Sequence, residues 1–301
     1  MTANSKYAFF RGCLIPTRYP HLEYLARIIL PQIGISLADI EEFTCCADPI
    51  QFRSADQLTW LAIAARNLCL AEEQGLGIIC LCNGCFNTLA MANDLLKKEP
   101  GLREKVNRIL AATNHQFKGS IEVKHFLKAI GEDVGVEKLK SYVEVPLHGL
   151  NVATHTGCHL LSPENILGFD DAIDPTVFDS LVAALGANPV DYELKTLCCG
   201  VAFALSGQRA AASHLVKDKL VNMREFGADC IAVACPFCFQ QFDLGQLSAS
   251  REYNLDFKLP VLYYLQLLAL AMGSPLEEIE YGIHKVKDED LESKLDKIQR
   301  M

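Results

Sequence analysis

The sequence has little of what would link this protein to nucleic acid or to a membrane. It carries 28 lysines and arginines against 37 acidic residues and has no basic block, which argues against a nucleic-acid partner. Residues 1–10 contain no apolar stretch long enough for an export signal. The most apolar segment, residues 259–272, is shorter than the roughly 20 residues that a membrane span needs. We interpret it as a buried helix and expect a cytoplasmic protein without a membrane span.

Two cofactor motifs are also missing from the sequence. There is no G-x-G-x-x-G, the fingerprint of dinucleotide binding, and no C-x2-C-x2-C-x3-C-P run of the ferredoxin type. If the chain does redox chemistry, we therefore expect its electrons to come from another protein.

Cysteine, in contrast, is abundant. The 301 residues include thirteen cysteines, and an odd number without an export signal favours metal binding over a disulfide framework. Ten of the cysteines fall into two groups of five. The first cysteine group is Cys13, Cys45, Cys46, Cys82 and Cys85, and the second cysteine group is Cys158, Cys198, Cys199, Cys235 and Cys238.

The two groups form an internal repeat. From the Cys-Cys pair onward they superimpose without a gap, at an offset of 153 positions (198 − 45), and both end in C-x-x-C. We interpret this as a duplication. Each C-x-x-C follows a short apolar run that is typical of a strand, at residues 78–81 and 231–234. Between the pair and the C-x-x-C, the pattern predicts a helix in each half, the first capped by Ser54.

Alternating strands and helices predict an α/β fold with short parallel sheets. We expect two pseudo-symmetric cysteine-rich domains, residues 1–149 and residues 150–301, the second with a C-terminal helical tail. Cysteines that directly follow strands would lie at the carboxyl ends of the sheets, where open α/β folds bind ligands.

The cysteine pattern favours an iron–sulfur cluster over zinc. A structural zinc ion takes four ligands, whereas each half offers five cysteines, and two adjacent thiolates meet one small ion poorly. Adjacent thiolates suit different metal atoms of a cluster. A thioredoxin-like C-x-x-C is an alternative for the Cys235–Cys238 segment, but it leaves the repeated pairs unexplained. We expect the remaining cysteines, Cys69, Cys80 and Cys230, to be buried in the core.

A lone cysteine, a Cys-Cys pair and a C-x-x-C in this order resemble the CCG cysteine-rich domain. Two complete copies in one chain are similar to the family of B subunits of the CoB–CoM heterodisulfide reductases. The resemblance runs from residue 9 to residue 238 and beyond. One departure is visible, because the second pair is followed by Gly200 whereas the first is followed by Ala47.

The resemblance implies a catalytic subunit that reduces the CoM-S-S-CoB disulfide to two thiols in methanogenesis. Each cysteine group would hold a noncubane 4Fe-4S cluster. The implied partners are a ferredoxin-like C subunit and a flavin-containing A subunit, connected to a hydrogenase or formate dehydrogenase. Two alternatives remain open. One is an electron-transfer subunit of another CCG-family enzyme, of the thiol:fumarate reductase, succinate dehydrogenase or lactate/glycolate oxidase type; the other is a zinc-stabilised scaffold.

Charged and ionisable residues near the cysteines are candidates for substrate binding and proton transfer. Arg11 and Arg18 lie close to Cys13 in sequence, and either could bind an anionic substrate group. His155 and His159 flank Cys158, and either could donate protons to product thiolates. Nothing in the sequence separates the two histidines.

Overall fold

The protein has two four-stranded sheets, one in each half, in a computed structural model that describes residues 5–300. The strands are β1 (Ser5–Phe10), β2 (Ile35–Ala38), β3 (Gly77–Cys80), β4 (Val123–His125), β5 (Asn151–His155), β6 (Asn188–Pro189), β7 (Cys230–Val233) and β8 (Val261–Tyr263). Their spatial order is β2-β1-β3-β4 and β6-β5-β7-β8, and every pairing is parallel. The prediction of a duplicated α/β fold with short parallel sheets is confirmed.

Helices connect the successive parallel strands, as parallel pairing requires. In the first half they are α1 (Leu14–Arg18), α2 (Pro20–Gln32), α3 (Gln51–Ala55), α4 (Gln57–Glu73), α5 (Asn83–Lys98), α6 (Pro100–Leu110), α7 (Phe126–Ala129) and α8 (Val136–Lys140). In the second half they are α9 (Cys158–Leu161), α10 (Glu164–Leu167), α11 (Val177–Ala184), α12 (Val201–Leu205), α13 (Arg209–Glu225), α14 (Pro236–Gln240), α15 (Gln246–Tyr253), α16 (Tyr264–Ala271) and α17 (Glu289–Gln299). Short 3₁₀ turns (Ala111–Thr113, Tyr281–Ile283) and π turns (Ile130–Val134, Gln241–Gly245) complete the helical segments.

The central strands are apolar because they are covered on both sides. All four residues of β7 are buried, and three of the four residues of β3 are buried. Continuous apolar runs of this kind are expected for the inner strands of a parallel sheet. Helices α4 and α13, each of 17 residues, precede β3 and β7 and occupy equivalent places in the two halves.

Two local predictions were wrong. Asp56 caps α4 by accepting a hydrogen bond from the Thr59 amide at 3.0 Å, whereas Ser54 lies inside the preceding helix α3 and donates to the Ile50 carbonyl. The apolar segment 259–272 is not one helix, because its first part pairs with β7 as strand β8 before α16 begins. Among residues 5–300 no helix is both long and apolar enough to cross a membrane.

Candidate metal centre

The strand order brings the first and fourth cysteines of each group to one place. Cys13 follows β1 and Cys82 follows β3, and these strands are neighbours at the centre of the sheet. The chain leaves β1 and β3 towards opposite edges, so their carboxyl ends form the crevice where such sheets bind ligands. Cys158 after β5 and Cys235 after β7 occupy the equivalent crevice of the second half.

The thiols of the first cysteine group contact one another in a chain. Cys13 is a hydrogen-bond partner of Cys45, Cys45 of Cys46, Cys46 of Cys85, and Cys85 of Cys82. Hydrogen bonds from Cys13 and Cys46 hold the pKa of the Cys45 thiol well below its ordinary value. The loop that carries the Cys-Cys pair therefore faces the C-x-x-C turn across the end of the sheet.

The second cysteine group repeats this arrangement. Cys158 is a partner of Cys198, Cys198 of Cys199, and Cys235 of Cys238. The Cys238 and Cys199 sulfur atoms are 3.5 Å apart. Hydrogen bonds from Cys158 and Cys199 lower the pKa of the Cys198 thiol, as their counterparts do for Cys45. The five thiols in each half thus have the same order of contacts.

The two groups meet at the boundary between the halves. The sulfur atoms of Cys82 and Cys235, which are 153 residues apart in sequence, lie 3.9 Å from each other. All ten predicted site cysteines therefore form one continuous run of contacting thiols. The sequence predicts two groups, but only the structure places them side by side.

Residues at the ends of two edge strands, β4 and β8, bridge the halves behind these thiols. The Tyr263 hydroxyl, at the end of β8, hydrogen-bonds the carbonyls of Leu81 and Ala234, which immediately precede Cys82 and Cys235. His125, at the end of β4, places Nε2 3.2 Å from the same Ala234 carbonyl. Burial lowers the pKa of His125 to about 3, so the ring is neutral and can donate one hydrogen bond.

A third hydrogen bond between the halves starts from the first half and has no equivalent starting from the second. The Asn83 amide donates to the Thr156 carbonyl at 2.7 Å, inside the contact between the halves. Gly157 passes so close to this amide that a Cβ atom there would lie 2.6 Å from Nδ2. The position equivalent to Asn83 in the second half is Pro236, which has no side-chain donor.

The site fits a thiolate-bound cluster better than free thiols. Hydrogen bonding to Cys45 and burial together raise the pKa of Cys46, and the same two effects from Cys198 act on Cys199. Buried, contacting thiols cannot all ionise unless a positive charge lies among them, which a metal supplies. Glycine also leaves room for the sulfur atoms, since a Cβ atom at Gly12 would be 2.8 Å from the Cys85 sulfur.

The residue after each Cys-Cys pair adopts the same unusual backbone conformation. Gly200 has φ +87° and Ala47 has φ +64°, in the left-handed region that favours glycine. The Gly200 amide donates to the Cys198 sulfur at 3.4 Å, and the Ala47 carbonyl accepts a hydrogen bond from the Thr88 hydroxyl at 3.0 Å. Ala47 therefore adopts the same turn as Gly200, but its Cβ atom adds backbone strain.

The structure separates the two candidate histidines. His155 is buried, neither ring nitrogen has a hydrogen-bond partner in the described chain, and one ring nitrogen lies within 4.8 Å of the Cys199 and Cys238 sulfurs. His159 is half-buried and lines a narrow cleft of about 70 Å³ beside the second cysteine group. Cys69, Cys80 and Cys230 are completely buried, which confirms the prediction that they belong to the core.

The cleft of about 70 Å³, which we call the thiol cleft, is lined by Cys158, Cys198, Cys235, Asp48 and Asn83 among others. It therefore opens on cysteines of the second group and on residues of the first half.

A second cavity, of about 460 Å³, lies next to it between the halves, and Leu205 and Phe237 line both spaces. We call it the inter-half cavity. Its ionisable lining residues are Arg18, His21, Tyr19, Asp243, His284 and Lys285. Arg11, in contrast, forms an ion pair with Glu23 and does not line either space.

The paired sheets and the ten contacting thiols define a duplicated cysteine-rich α/β protein with a candidate metal centre where its halves meet. The family described as the Cysteine-rich domain, CCG, matches residues 7–90 and residues 152–243, one match in each half. The chain belongs to this CCG family, as the sequence predicts.

Several relatives match almost the whole chain. The B subunit of the Ferredoxin/F(420)H(2)-dependent CoB-CoM heterodisulfide reductase of Methanosarcina acetivorans is 41% identical over 91% of this chain and 92% of its own length. The 8-methylmenaquinol:fumarate reductase membrane anchor subunit of Wolinella succinogenes is 34% identical over 94% of this chain and 97% of its own. The resemblance to the B subunits of heterodisulfide reductases is therefore confirmed, and it extends to a fumarate reductase subunit.

A solved structure shares the fold. The crystal structure of a hypothetical protein from Helicobacter pylori superimposes with a TM-score of 0.77 at 17% sequence identity. The match covers 95% of this chain and 53% of the other, so this chain spans about half the length of that protein.

Sequence reasoning missed the residues that join the halves, above all Tyr263, His125 and Asn83. None carries a motif, because each acts on a carbonyl that is distant in sequence. The internal repeat offers one signal for two of these residues, because His125 and Tyr263 each end the last strand of their half.

Proposed function

We propose that the chain is a disulfide reductase subunit that binds two 4Fe-4S clusters of the noncubane type, one in each cysteine group. The observation that carries this proposal is the 3.9 Å approach of Cys82 and Cys235, which makes two five-thiol groups neighbours. The ligands would be the ten cysteines of the two groups. When bound, the clusters would supply electrons one at a time, and two adjacent clusters match the two electrons that a disulfide needs.

The chain's own residues would bind and orient the substrate. The proposed reaction converts R–S–S–R′, two electrons and two protons into two thiols. The disulfide would enter the thiol cleft, which is lined both by cysteines of the second group and by residues of the first half. Arg18 and Lys285 line the adjoining inter-half cavity, which favours a substrate with an anionic group, such as the CoM-S-S-CoB heterodisulfide.

His159 is the better candidate for the proton donor to a product thiolate, because it lines the thiol cleft. His155 is enclosed beside Cys199 and Cys238, where it would shape the second cluster site.

The electrons would come from partner subunits, because no dinucleotide or ferredoxin motif is present in the sequence. We propose a ferredoxin-like C subunit and a flavin-containing A subunit, coupled to a hydrogenase or formate dehydrogenase, and a cytoplasmic location. The relatives are themselves named as subunits of reductases, which supports a multi-subunit complex.

A second candidate is an electron-transfer subunit of another CCG-family oxidoreductase. The specific support is the fumarate reductase relative, which matches this chain over nearly its whole length. In this case, the clusters would pass electrons onward and no disulfide would enter the thiol cleft.

The first test is iron and acid-labile sulfide per chain in anaerobically purified protein, followed by EPR after adding coenzyme M thiol under oxidising conditions. We expect about eight iron and about eight sulfide, as two 4Fe-4S clusters require, and a thiol-dependent paramagnetic signal. Stoichiometric zinc without sulfide would refute the cluster assignment. Iron that does not respond to thiol would favour the electron-transfer candidate.

The second test concerns the substrate. Arg18→Met and Lys285→Met should each raise the KM for an anionic disulfide several-fold while changing kcat little, since they remove binding that precedes chemistry. Lys98→Met is the matched control, because Lys98 is an exposed cation, paired with Asp94, that lines neither space. Equal KM values in all three variants would contradict the proposed position of the anionic group.

A further inference from the structure

Lys219 is a buried cation with no role in the proposed reaction. It lies on α13 and is fully buried. Its Nζ donates hydrogen bonds to the carbonyls of Leu194 (2.6 Å), Lys195 (3.2 Å) and Leu197 (2.9 Å), which uses all three of its donors. These carbonyls belong to the segment that leads directly into Cys198. The ammonium group therefore holds the backbone that presents the second Cys-Cys pair.

The charge of Lys219 has no carboxylate partner. None of the ion pairs among residues 5–300 includes it. Burial lowers the pKa of Lys219 to about 7 even though the neighbouring thiols Cys199 and Cys238 raise it. In this water-poor position the ammonium interacts with thiolates of the second cysteine group more strongly than a surface cation would.

The first half has a cation at the equivalent position. Arg66 lies 153 residues before Lys219, and its Nη1 donates to the Glu42 carbonyl at 3.0 Å. Glu42 likewise lies 153 residues before Lys195, so the contact is repeated in both halves. The two cations differ in their access to solvent. Arg66 is half-buried and its contact with the Glu42 carbonyl lies at the surface, whereas Lys219 is enclosed.

A neutral amide provides the buried tether in the first half. Asn67 accepts a hydrogen bond from the Thr44 amide at 3.0 Å and donates to the Cys45 carbonyl at 3.3 Å. Equivalent helices thus hold the two Cys-Cys segments, but the cation that takes part is buried only in the second half.

We propose that Lys219 is a positioning residue that holds the second Cys-Cys pair and makes a cluster bound there easier to reduce than one bound by the first cysteine group. Reduction adds negative charge, which a buried ammonium stabilises, whereas solvent screens the guanidinium of Arg66. The proposal rests on the proposed function only in requiring clusters at both groups.

The test is a redox titration followed by EPR on the anaerobically purified chain and its variants. Lys219→Met and Lys219→Gln should shift the more positive of two reduction potentials in the negative direction. Lys219→Arg keeps the charge and should stay close to the unmodified protein. Arg66→Met is the matched control and should leave both potentials unchanged.

Selective loss of iron from the second cysteine group in Lys219→Met, with Lys219→Arg fully loaded, would also support the positioning role. Full iron content and unchanged potentials in both Lys219→Met and Lys219→Gln would overturn it. An unmodified chain that binds no iron would instead refute the proposed function, so the two failures are distinguishable.

Discussion

The two halves of the molecule share a topology and an order of thiol contacts, yet their surroundings differ. The first Cys-Cys turn contains the strained Ala47 and is fixed by the amide of Asn67, while the second contains Gly200 and is fixed by the ammonium of Lys219. The bridge from Asn83 to Thr156 also has no counterpart. A duplicated fold can therefore keep one arrangement of thiols while the charge and the hydrogen bonds around each copy differ, and such differences would give two bound clusters different properties.

Removing one proposed cysteine ligand in each half separately should have the strongest effect. Cys46→Ser and Cys199→Ser should each lower the iron content to about half and abolish disulfide reduction, because each removes a cluster from one group only. Iron analysis and EPR measure this. Cys230→Ala removes a buried thiol outside both groups and should keep full iron. Complete iron loss in either single variant would show that the two groups load as one unit.

A smaller effect should follow from disturbing the hydrogen bond from Asn83 to Thr156, which has no counterpart from the second half. Gly157→Ala would place a Cβ atom 2.6 Å from the Asn83 amide, and Gly157 has φ +83°. Gly227→Ala is a matched control, with φ +82° and nothing within 4 Å of the added atom. Both substitutions add backbone strain, but only the first disturbs a buried hydrogen bond, which costs a further ~1–3 kcal/mol. If Gly157→Ala and Gly227→Ala have equal free energies of unfolding in denaturant, the hydrogen bond from Asn83 to Thr156 adds no measurable stability to the contact between the halves.

A pair of buried histidines at the contact between the halves should make the stability of the protein depend on pH. His21 of the first half faces His284 of the second, with ring centroids 6.3 Å apart, and burial lowers the pKa of His21 to about 4 and of His284 to about 3. The unfolded chain binds protons from about pH 6.5 downward and the folded chain does not, so stability should fall as the pH falls from 7 towards 4.

We expect His21→Phe to remove about 2 kcal/mol of the stability loss between pH 8 and pH 5, since a pKa difference of one unit corresponds to about 1.4 kcal/mol. Denaturant unfolding of the apo chain at both pH values measures it, and the comparison with the unmodified chain cancels the contribution of Asp243. The exposed His214, replaced by Phe, is the control. An unchanged pH dependence in His21→Phe would show that His21 is not the proton-binding group.

The smallest expected effect comes from exchanging the residues that follow the two pairs. Ala47→Gly should stabilise the first half by about 1 kcal/mol, because it removes left-handed strain. Gly200→Ala should destabilise the second half by at least that amount, since the added Cβ atom would lie 3.2 Å from the Ala212 carbonyl oxygen. Thermal unfolding of both variants compares the halves. The two substitutions should change the unfolding temperature in opposite directions, and a change in the same direction would contradict the proposed strain at Ala47.

Much of the fold was predictable because its signals are local. Apolar runs of four residues marked β3 and β7, and the C-x-x-C after each run gave the position of the carboxyl ends. The prediction failed where a neighbour decided the structure, as at residues 259–272, where pairing with β7 turns the start of an apolar run into a strand. The domain boundary at residues 149 and 150 stays a prediction.

The two cysteine groups, their repeat and their places after strands are evident from the amino-acid sequence, because cysteine spacing and strand periodicity depend on nearby residues. The packing of the halves was needed to show that Cys82 and Cys235 meet, that Tyr263 joins Leu81 to Ala234, and that Lys219 is enclosed. Contacts across 153 or 182 residues depend on how the two halves pack, and packing is a property of complementary surfaces that no short pattern records.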